Sequence, residues 1–545
     1  MKSKENASDT DHEISPNRAG TMAVEATTSA HAKPAINPWI IAISVMLATF
    51  LEVLDTTVVN VSLPHIAGSL SASVDESTWT LTSYLVANAI ILPMTGWLSN
   101  YFGRKRMLLF SVTGFTVSSF LCGLAPSLGL LIFFRVIQGA CGGGLQPISQ
   151  AVLLESFKPE DRGKAMGFWG LGIVVAPMLG PVLGGWLTDS YSWRWVFYIN
   201  VPIGIAAVIM TKLFIFDPPY IRRTSSRVDY WGIGMLALWV GGLQIVLDKG
   251  QEKDWFGTTW ITVVTIVCVL IFIAFLAREF LTDTPVVNLR VFHNGTYSSG
   301  VFLMSLLGVG LYGTTVIIPL ILQTLLGYPA VRAGLAMAPR GVGSFIAMPL
   351  IGIIMVKFDA RRLLGIGLAV CAFTMWQFSH LNLNAGYWEF FWPQFIMGLS
   401  LGLIFVPLTT ISMAPIAKEQ MGNATSLFNL VRNIGGGFGI SIVNSIQTRL
   451  QQGNIHALGA HVNATNVIAS NAFMHLKGMF MSQNGDPVRS AEQAREMLFL
   501  MVQRQASMIA YNDVFRMLMW LFLFMLPFLL LMRRPERGAG GGMAH

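Results

Sequence analysis

The chain has 545 residues, 53% of them hydrophobic and only 12% charged, with a formal net charge of +8. Soluble globular proteins carry about 25% charged residues, so the composition argues against a soluble enzyme and for a polytopic helical membrane protein. Basic loops explain the positive charge better than nucleic-acid binding does, and the four cysteines, Cys122, Cys141, Cys268 and Cys371, all lie in apolar stretches with no CxxC pair, which argues against a disulfide framework or a zinc site.

In chain order, residues 1–37 are polar and rich in Ser, Thr and Ala. They read as a disordered tail without the apolar core of a signal peptide. Fourteen apolar spans follow, at about 39–61, 77–99, 107–125, 129–152, 165–188, 195–216, 230–248, 258–278, 298–325, 333–356, 362–380, 389–413, 423–447 and 512–532. An even number puts both termini on one side. Loops and tails on that side hold 22 Lys and Arg, against four (Arg194, Lys249, Lys253 and Arg332) in the short loops opposite. The positive-inside rule makes the termini cytoplasmic. A long polar connection at 448–511, with one helix expected around Ser490–Gln505, reads as an external surface facing a partner, or as a floppy loop. Residues 536–545 form a flexible Gly-rich cytoplasmic tail.

The end of span two, GWLSNYFGRKR (96–106), is echoed by GIIMVKFDARR (352–362) at the end of span ten. Duplicated halves around a midplane site are a transporter architecture. The expected organisation is a six-helix bundle at 38–217, two inserted helices at 218–296 and a second six-helix bundle at 297–535.

Span one carries two acids, Glu52 and Asp55, one helical turn apart. An ionised Asp at the bilayer centre costs about 2.5–3.5 kcal/mol on insertion scales, so such residues face a bundle interior or a cavity and are functional by default. Burial favours the protonated acid, and two close acids disfavour double ionisation. Both are candidates for proton coupling; the plainer alternative makes Asp55 a hydrogen-bonder near Thr56, Thr57 and Asn60. Arg135 and Gln138, in FFRVIQGACGGG (133–144), join them as candidates, since a membrane arginine needs a partner; the alternative is snorkelling to the interface.

The segment GLGIVVAPMLGPVLGGWL (170–187) presents a smooth face and two prolines. Gly172, Ala176, Pro177, Gly180, Pro181, Gly184 and Gly185 are candidates for a hinge, or for ordinary tight packing. Gly96, Gly103, Arg104 and Lys105 make a candidate gating loop. Trp79, Tyr84, Asn88, Tyr312, Gln323, Asn429 and Arg432 are candidates for a substrate cavity. No phosphate-binding loop of the GxxxxGK[ST] type and no metal-ligand cluster occurs, which argues against direct ATP coupling and against a resident metal.

These motifs resemble the major facilitator superfamily, and within it the fourteen-helix drug:proton antiporters. LDTTVVNVSLP (54–64), GWLSNYFGRKR (96–106), LIFFRVIQGACGG (131–143) and APMLGPVLGG (176–185) look like that family's span-one, span-two-loop, span-four and antiporter motifs. SWRWVFYINVPIGI (192–205) and LDKGQEKDWF (247–256) are similar to further signatures. The resemblance covers residues 38–535. It implies an all-α membrane protein of fourteen transmembrane helices, in two six-helix bundles plus two inserted helices. It implies proton-driven export of lipophilic small molecules from the bacterial inner membrane, with the proton gradient as energy source and no cofactor. It further implies a periplasmic adaptor of the EmrA type and an outer-membrane channel of the TolC type. By the same likeness Asp55 is the membrane acid and Arg135 the arginine tied to proton transfer. Asn100 stands where the family commonly has Asp, and Glu52 lies outside the family pattern. An uptake symporter of the same fold, or a transport-inactive scaffold that docks a partner, are the alternative readings.

Overall fold

The computed structural model describes residues 37–217, 229–250, 255–282, 285–463 and 465–532. Both expected tails, and the basic cluster Arg222, Arg223 and Arg227, lie outside the described residues, as do Lys253 and the side chain of Pro181.

The described residues are helical almost throughout. In a hydrocarbon environment a helix satisfies its own backbone groups, so long apolar runs have few alternatives. The helices are α1 (Pro38–Ser69), α2 (Val74–Phe102), α3 (Arg104–Leu124), α4 (Leu128–Gly142), α5 (Leu145–Ser156), α6 (Arg162–Ser190), α7 (Trp195–Tyr198), α8 (Asn200–Phe214), α9 (Tyr230–Lys249), α10 (Thr259–Leu281), α11 (Gly295–Leu320), α12 (Ala330–Ile354), α13 (Ala360–Phe378), α14 (Tyr387–Met413), α15 (Met421–Gly459), α16 (Val467–Asn484) and α17 (Pro487–Met525). Polar side chains fix many of their starts. Asn37 accepts from the Trp39 N–H beside Pro38, Ser73 and Glu76 form a capping box, and Asp229 accepts from the Gly232 N–H. Gly103 ends α2 and begins α3 at φ +91°, a conformation open mainly to glycine.

Helices occupy all fourteen expected positions. Among the described residues eleven are long and apolar enough to cross a membrane, and α6, bent by 41° between Pro177 and Val182, makes a twelfth. The positions of the remaining two, α13 and α15, are helical but more polar. Span four is broken: α4 ends at Gly142 and α5 begins at Leu145, across Gly143 and Gly144.

The expected outer loop at 448–511 is instead mostly helix. α15 runs on to Gly459, α16 folds back, and α17 begins at Pro487 and packs on α16. The reason is local. Asn466 and Asp486 cap α16 and α17, and Gly485, at φ +68°, makes the turn between them.

The two halves repeat one packing plan. α1 lies along α6, α2 along α4 and α3 along α8; likewise α11 lies along α15, α12 along α14 and α13 along α17. The halves meet where α6 packs on α12 and α2 on α15, while α9 of the inserted pair packs on α2 and α15. At the basic end these seams close on glycine. Gly96 abuts the backbone of Gly422 and Asn423, and Gly352 abuts that of Gly163 and Lys164, and neither leaves room for a Cβ.

Candidate functional site

Asp55 and Arg135 meet in the interior of the first bundle. Arg135 Nη1 donates to Asp55 Oδ2 at 2.6 Å, and both side chains are completely buried. Asp55 Oδ1 accepts from Gln138 Nε2 at 2.9 Å and from Asn200 Nδ2 at 2.8 Å. Gln138 Oε1 in turn accepts from Arg135 Nη1 at 2.8 Å. Arg135 Nε donates to the Thr80 carbonyl at 2.9 Å, and its guanidinium lies 4.2 Å from the centre of the Tyr84 ring. The arginine therefore does not snorkel; it is the counter-charge of Asp55. Removing two charges from water is repaid only when their remaining hydrogen-bonding capacity is also met. Gln138, Asn200 and Thr80 meet most of it here, while Arg135 Nη2 is left without a partner among the described residues.

Glu52 lies on the same helix face but serves a different cluster. Its Oε1 accepts from Asn88 Nδ2 at 2.9 Å, while Oε2 is buried with no partner among the described residues. The carboxylate lies against the Gln146 N–H in the first turn of α5 and within Coulombic reach of Arg432. Arg432 belongs to the second half, and its Nη2 donates to Gln146 Oε1 at 2.5 Å. Asn429 Nδ2 donates to Gln150 Oε1 at 2.7 Å and Thr425 Oγ1 to the Pro147 carbonyl at 3.0 Å. Thr425, Asn429 and Arg432 thus form one polar stripe of α15 against α5. Gly139, Gly142 and Gly143 allow α2 to approach, so that Tyr84 and Asn88 reach between the two acids.

Of the candidate cavity residues, Tyr84, Asn88 and Arg432 are brought together around Glu52, and Asn429 lies on the same stripe against Gln150. Tyr312 packs on Gly436, one turn beyond Arg432. Trp79 is exposed, with the Lys249 ammonium 5.7 Å from its ring centre, and Gln323 is exposed on the π-helical turn after α11.

The candidate hinge seats α6 on α1. Gly172 faces Met46, Gly180 faces Thr57 and Gly184 faces the Val58 carbonyl, with little or no room for a Cβ. Ala176 is buried, and Gly185 leaves ordinary contact with Val61. Pro177 and Pro181 fall at the bend.

In the candidate gating loop, Arg104 is buried and ion-paired with Glu155, and its Nη2 reaches the Lys418 carbonyl of the second half. The Lys105 N–H donates to Asp217 Oδ1 at 2.8 Å, and its ammonium to the Lys212 carbonyl at 2.7 Å. The Arg104–Glu155 pair and the Asp217 hydrogen bond hold this turn together without an acid at Asn100.

Two functional candidates escape the sequence reading. Asn200 sits inside a motif read only as a signature. A membrane-depth Asn two residues before Pro202 was its available signal. Arg340, in APRGVG, is a third membrane-depth arginine, near the middle of the 25-residue helix α12. The apolar run around it was the signal.

Residues 45–440 match the family model of the Major Facilitator Superfamily. The chain is 38% identical over 506 residues to the multidrug export protein EmrB of Escherichia coli strain K12, covering 92% of this chain and 96% of that one. It is 35% identical over 513 residues to the fatty acid resistance protein FarB of Neisseria gonorrhoeae, covering 94% and 99%. Among solved structures it is similar to the proton:xylose symporter XylE, with a TM-score of 0.55 at 15% identity over 90% of this chain and 96% of that one. The chain is thus a multi-pass membrane transporter rather than an enzyme, and it belongs to the major facilitator superfamily.

Proposed function

We propose that the chain is a proton-driven efflux antiporter that exports lipophilic and amphiphilic toxic compounds, with the proton gradient as energy source and no cofactor. The relatives named for multidrug export and fatty acid resistance support the substrate class. The observation that carries the reading is the Asp55 cluster. A carboxylate held by Arg135, Gln138 and Asn200 in an apolar bundle changes its affinity for a proton whenever that shell is rearranged. Protonation removes the charge that holds Arg135, while Gln138 Oε1 still accepts from the guanidinium. Tyr84, stacked on Arg135, links this event to the Glu52 cluster, and Arg432 links that cluster to the second bundle. Glu52 takes part in the proton step.

The two six-helix bundles rock about the α6–α12 and α2–α15 seams, with the glycine-rich face of α6 as hinge and the 96–105 turn as cytoplasmic gate. The membrane is the bacterial inner membrane, with both termini cytoplasmic. This is supported by the excess of basic residues at the Arg104 end. The helical protrusion formed by α16 and the outer parts of α15 and α17 serves a periplasmic adaptor, which passes substrate to an outer-membrane channel.

Proton movement in proteoliposomes tests the reading, with wild type and Asp55→Asn offered lipophilic cations and anions. Protons moving opposite to substrate, and only in wild type, are expected. Protons moving with substrate would make the protein a symporter, and transport with no proton movement would end the proposal. Removal of α16 tests the partner: transport in vesicles is expected to survive while efflux from cells fails.

A further inference from the structure

The second bundle carries a positive charge at membrane depth that no acid of its helices pairs with among the described residues. Arg340 is half-buried near the middle of α12. Among the described residues its guanidinium makes one hydrogen bond, from Nη1 to Thr315 Oγ1 on α11, at 3.3 Å. No carboxylate lies within ion-pairing distance of it among the described residues, and the ionisable group acting on it is the Cys371 thiol. The sequences of α11, α12, α13 and α15 contain no Asp or Glu at all. In α14 the acid is Glu389, an exposed capping residue in the first turn.

The internal repeat explains the position. Gly139 of α4 abuts the Tyr84 carbonyl, and Gly398 of α14 abuts the Arg340 carbonyl. Gly96, twelve residues after Tyr84, corresponds to Gly352, twelve after Arg340. Arg340 is therefore the second-half counterpart of Tyr84. The counterpart of Arg135, four residues before the abutting glycine, is Gln394. Gln394 is completely buried, and neither its Oε1 nor its Nε2 has a partner among the described residues. The first bundle places a cation on span four and answers it with Asp55. The second places a cation on span ten, with an unsatisfied amide on span twelve, and answers it with nothing.

A charge at membrane depth faces a bundle interior or a water-filled cavity, and where it lacks an internal partner it marks a substrate or ion pathway. From this we infer that Arg340, with Thr315 at its guanidinium and the unpartnered Gln394 one helical turn from where α14 touches the Arg340 backbone, is the recognition site for the anionic head group of a transported amphiphile: a carboxylate, sulfonate or sulfate. A guanidinium fork and an amide donor suit such a group in geometry and charge. Its depth in α12 sets it away from the head groups of the surrounding bilayer. The inference rests on the transport reading above and narrows its substrate class.

Binding to the full chain in phosphatidylcholine nanodiscs tests it, by equilibrium dialysis against empty discs. Three probes share one alkyl chain: decanesulfonate, decyltrimethylammonium and decanol. Wild type is expected to bind decanesulfonate about tenfold more tightly than decanol. Arg340→Gln removes that preference and leaves decyltrimethylammonium binding unchanged, and Arg340→Lys keeps part of it. Gln394→Glu, which supplies an internal anion and keeps Arg340, also abolishes it. Equal loss of all three probes in both variants would make the cluster structural. Decanesulfonate binding that survives Gln394→Glu would overturn the site. Competition by added phosphatidylglycerol in wild type would reassign it to a lipid. Binding requires no proton gradient, so a chain that binds decanesulfonate but moves no protons would refute antiport and leave this site standing.

Discussion

Arg135 of α4 and Asp55 of α1 form an ion pair of 2.6 Å whose two side chains are both wholly buried. The pair is closed on the Asp55 side by Gln138 and Asn200 and on the Arg135 side by Thr80 and the Tyr84 ring. Its importance lies in what its halves cost alone. Breaking a buried pair by removing one partner typically costs about 3–5 kcal/mol, whereas removing both costs far less.

Thermal melting of single and double variants should display that asymmetry. Arg135→Gln alone is expected to destabilise the protein by about 3 kcal/mol or more. Arg135→Gln combined with Asp55→Asn should recover much of the loss, and both variants should lack proton-coupled exchange. Strictly additive losses in the double variant would show that the pair is not energetically coupled.

Closure of the Arg104 end rests on two glycine contacts at matching places in the repeat, Gly96 on Asn423 and Gly352 on Gly163. Gly96→Leu or Gly352→Leu should drive the bundles apart at that end and reduce transport at least tenfold. Spin labels on the ends of α2 and α15 should report a longer separation than in wild type. An unchanged distance distribution would place the closure elsewhere.

At the opposite end α9 bridges the two halves. Lys249 Nζ donates to Thr78 Oγ1 at 2.8 Å, and Thr82 is hydrogen-bonded to Asp248. On the other side Ser441 Oγ donates to the Leu247 carbonyl at 2.5 Å, and Trp255 Nε1 donates to Ser445 Oγ at 2.9 Å. Loosening this bridge with Ser441→Ala and Trp255→Phe should favour opening at that end. The expected readout is faster labelling of single cysteines placed on α2 near Thr78 and on α15 near Ser445. Slower labelling would mean that the bridge serves another state.

The inserted pair is tied down at its other end by Asp229, which accepts from Arg278 Nη2 at 2.7 Å and from Arg278 Nε at 3.0 Å. Burial alone raises this carboxyl, but the Arg278 hydrogen bonds and charge and the Gly232 N–H outweigh it and hold it below its usual range. A depressed folded value contributes stability that is present above the ordinary carboxylate value, about 3.9, and is lost as pH falls through the lower folded value. Asp229→Asn should lower the Tm by a few degrees at neutral pH. The difference from wild type should shrink as pH falls below the carboxylate range; a difference independent of pH would rule out the ion pair as its source.

Much of this protein is legible in its sequence because a bilayer leaves the chain few choices. Fourteen apolar runs give fourteen helical positions, since backbone groups in hydrocarbon must be satisfied within the segment. Asp55, Arg135 and Gln138 stand out for a related reason: polar groups at that depth are too costly to be idle. Gly96 and its echo Gly352 show the repeat, because only small residues let two backbones touch.

Pairing was decided by the tertiary structure. Glu52 and Asp55 share a helix face, yet one is answered by Asn88 and lies near Arg432, the other by Arg135, Gln138 and Asn200. No local pattern distinguishes them, since their partners come from helices far apart in the chain. The helix expected around Ser490–Gln505 falls within α17, but the rest of the helical 448–511 connection was hidden, because its short elements rest on caps, a glycine turn and mutual packing rather than on apolar length. Arg340 shows the same division. Its charge is plain in the sequence, but its lack of an acidic partner appears only when the neighbouring helices are assembled around it.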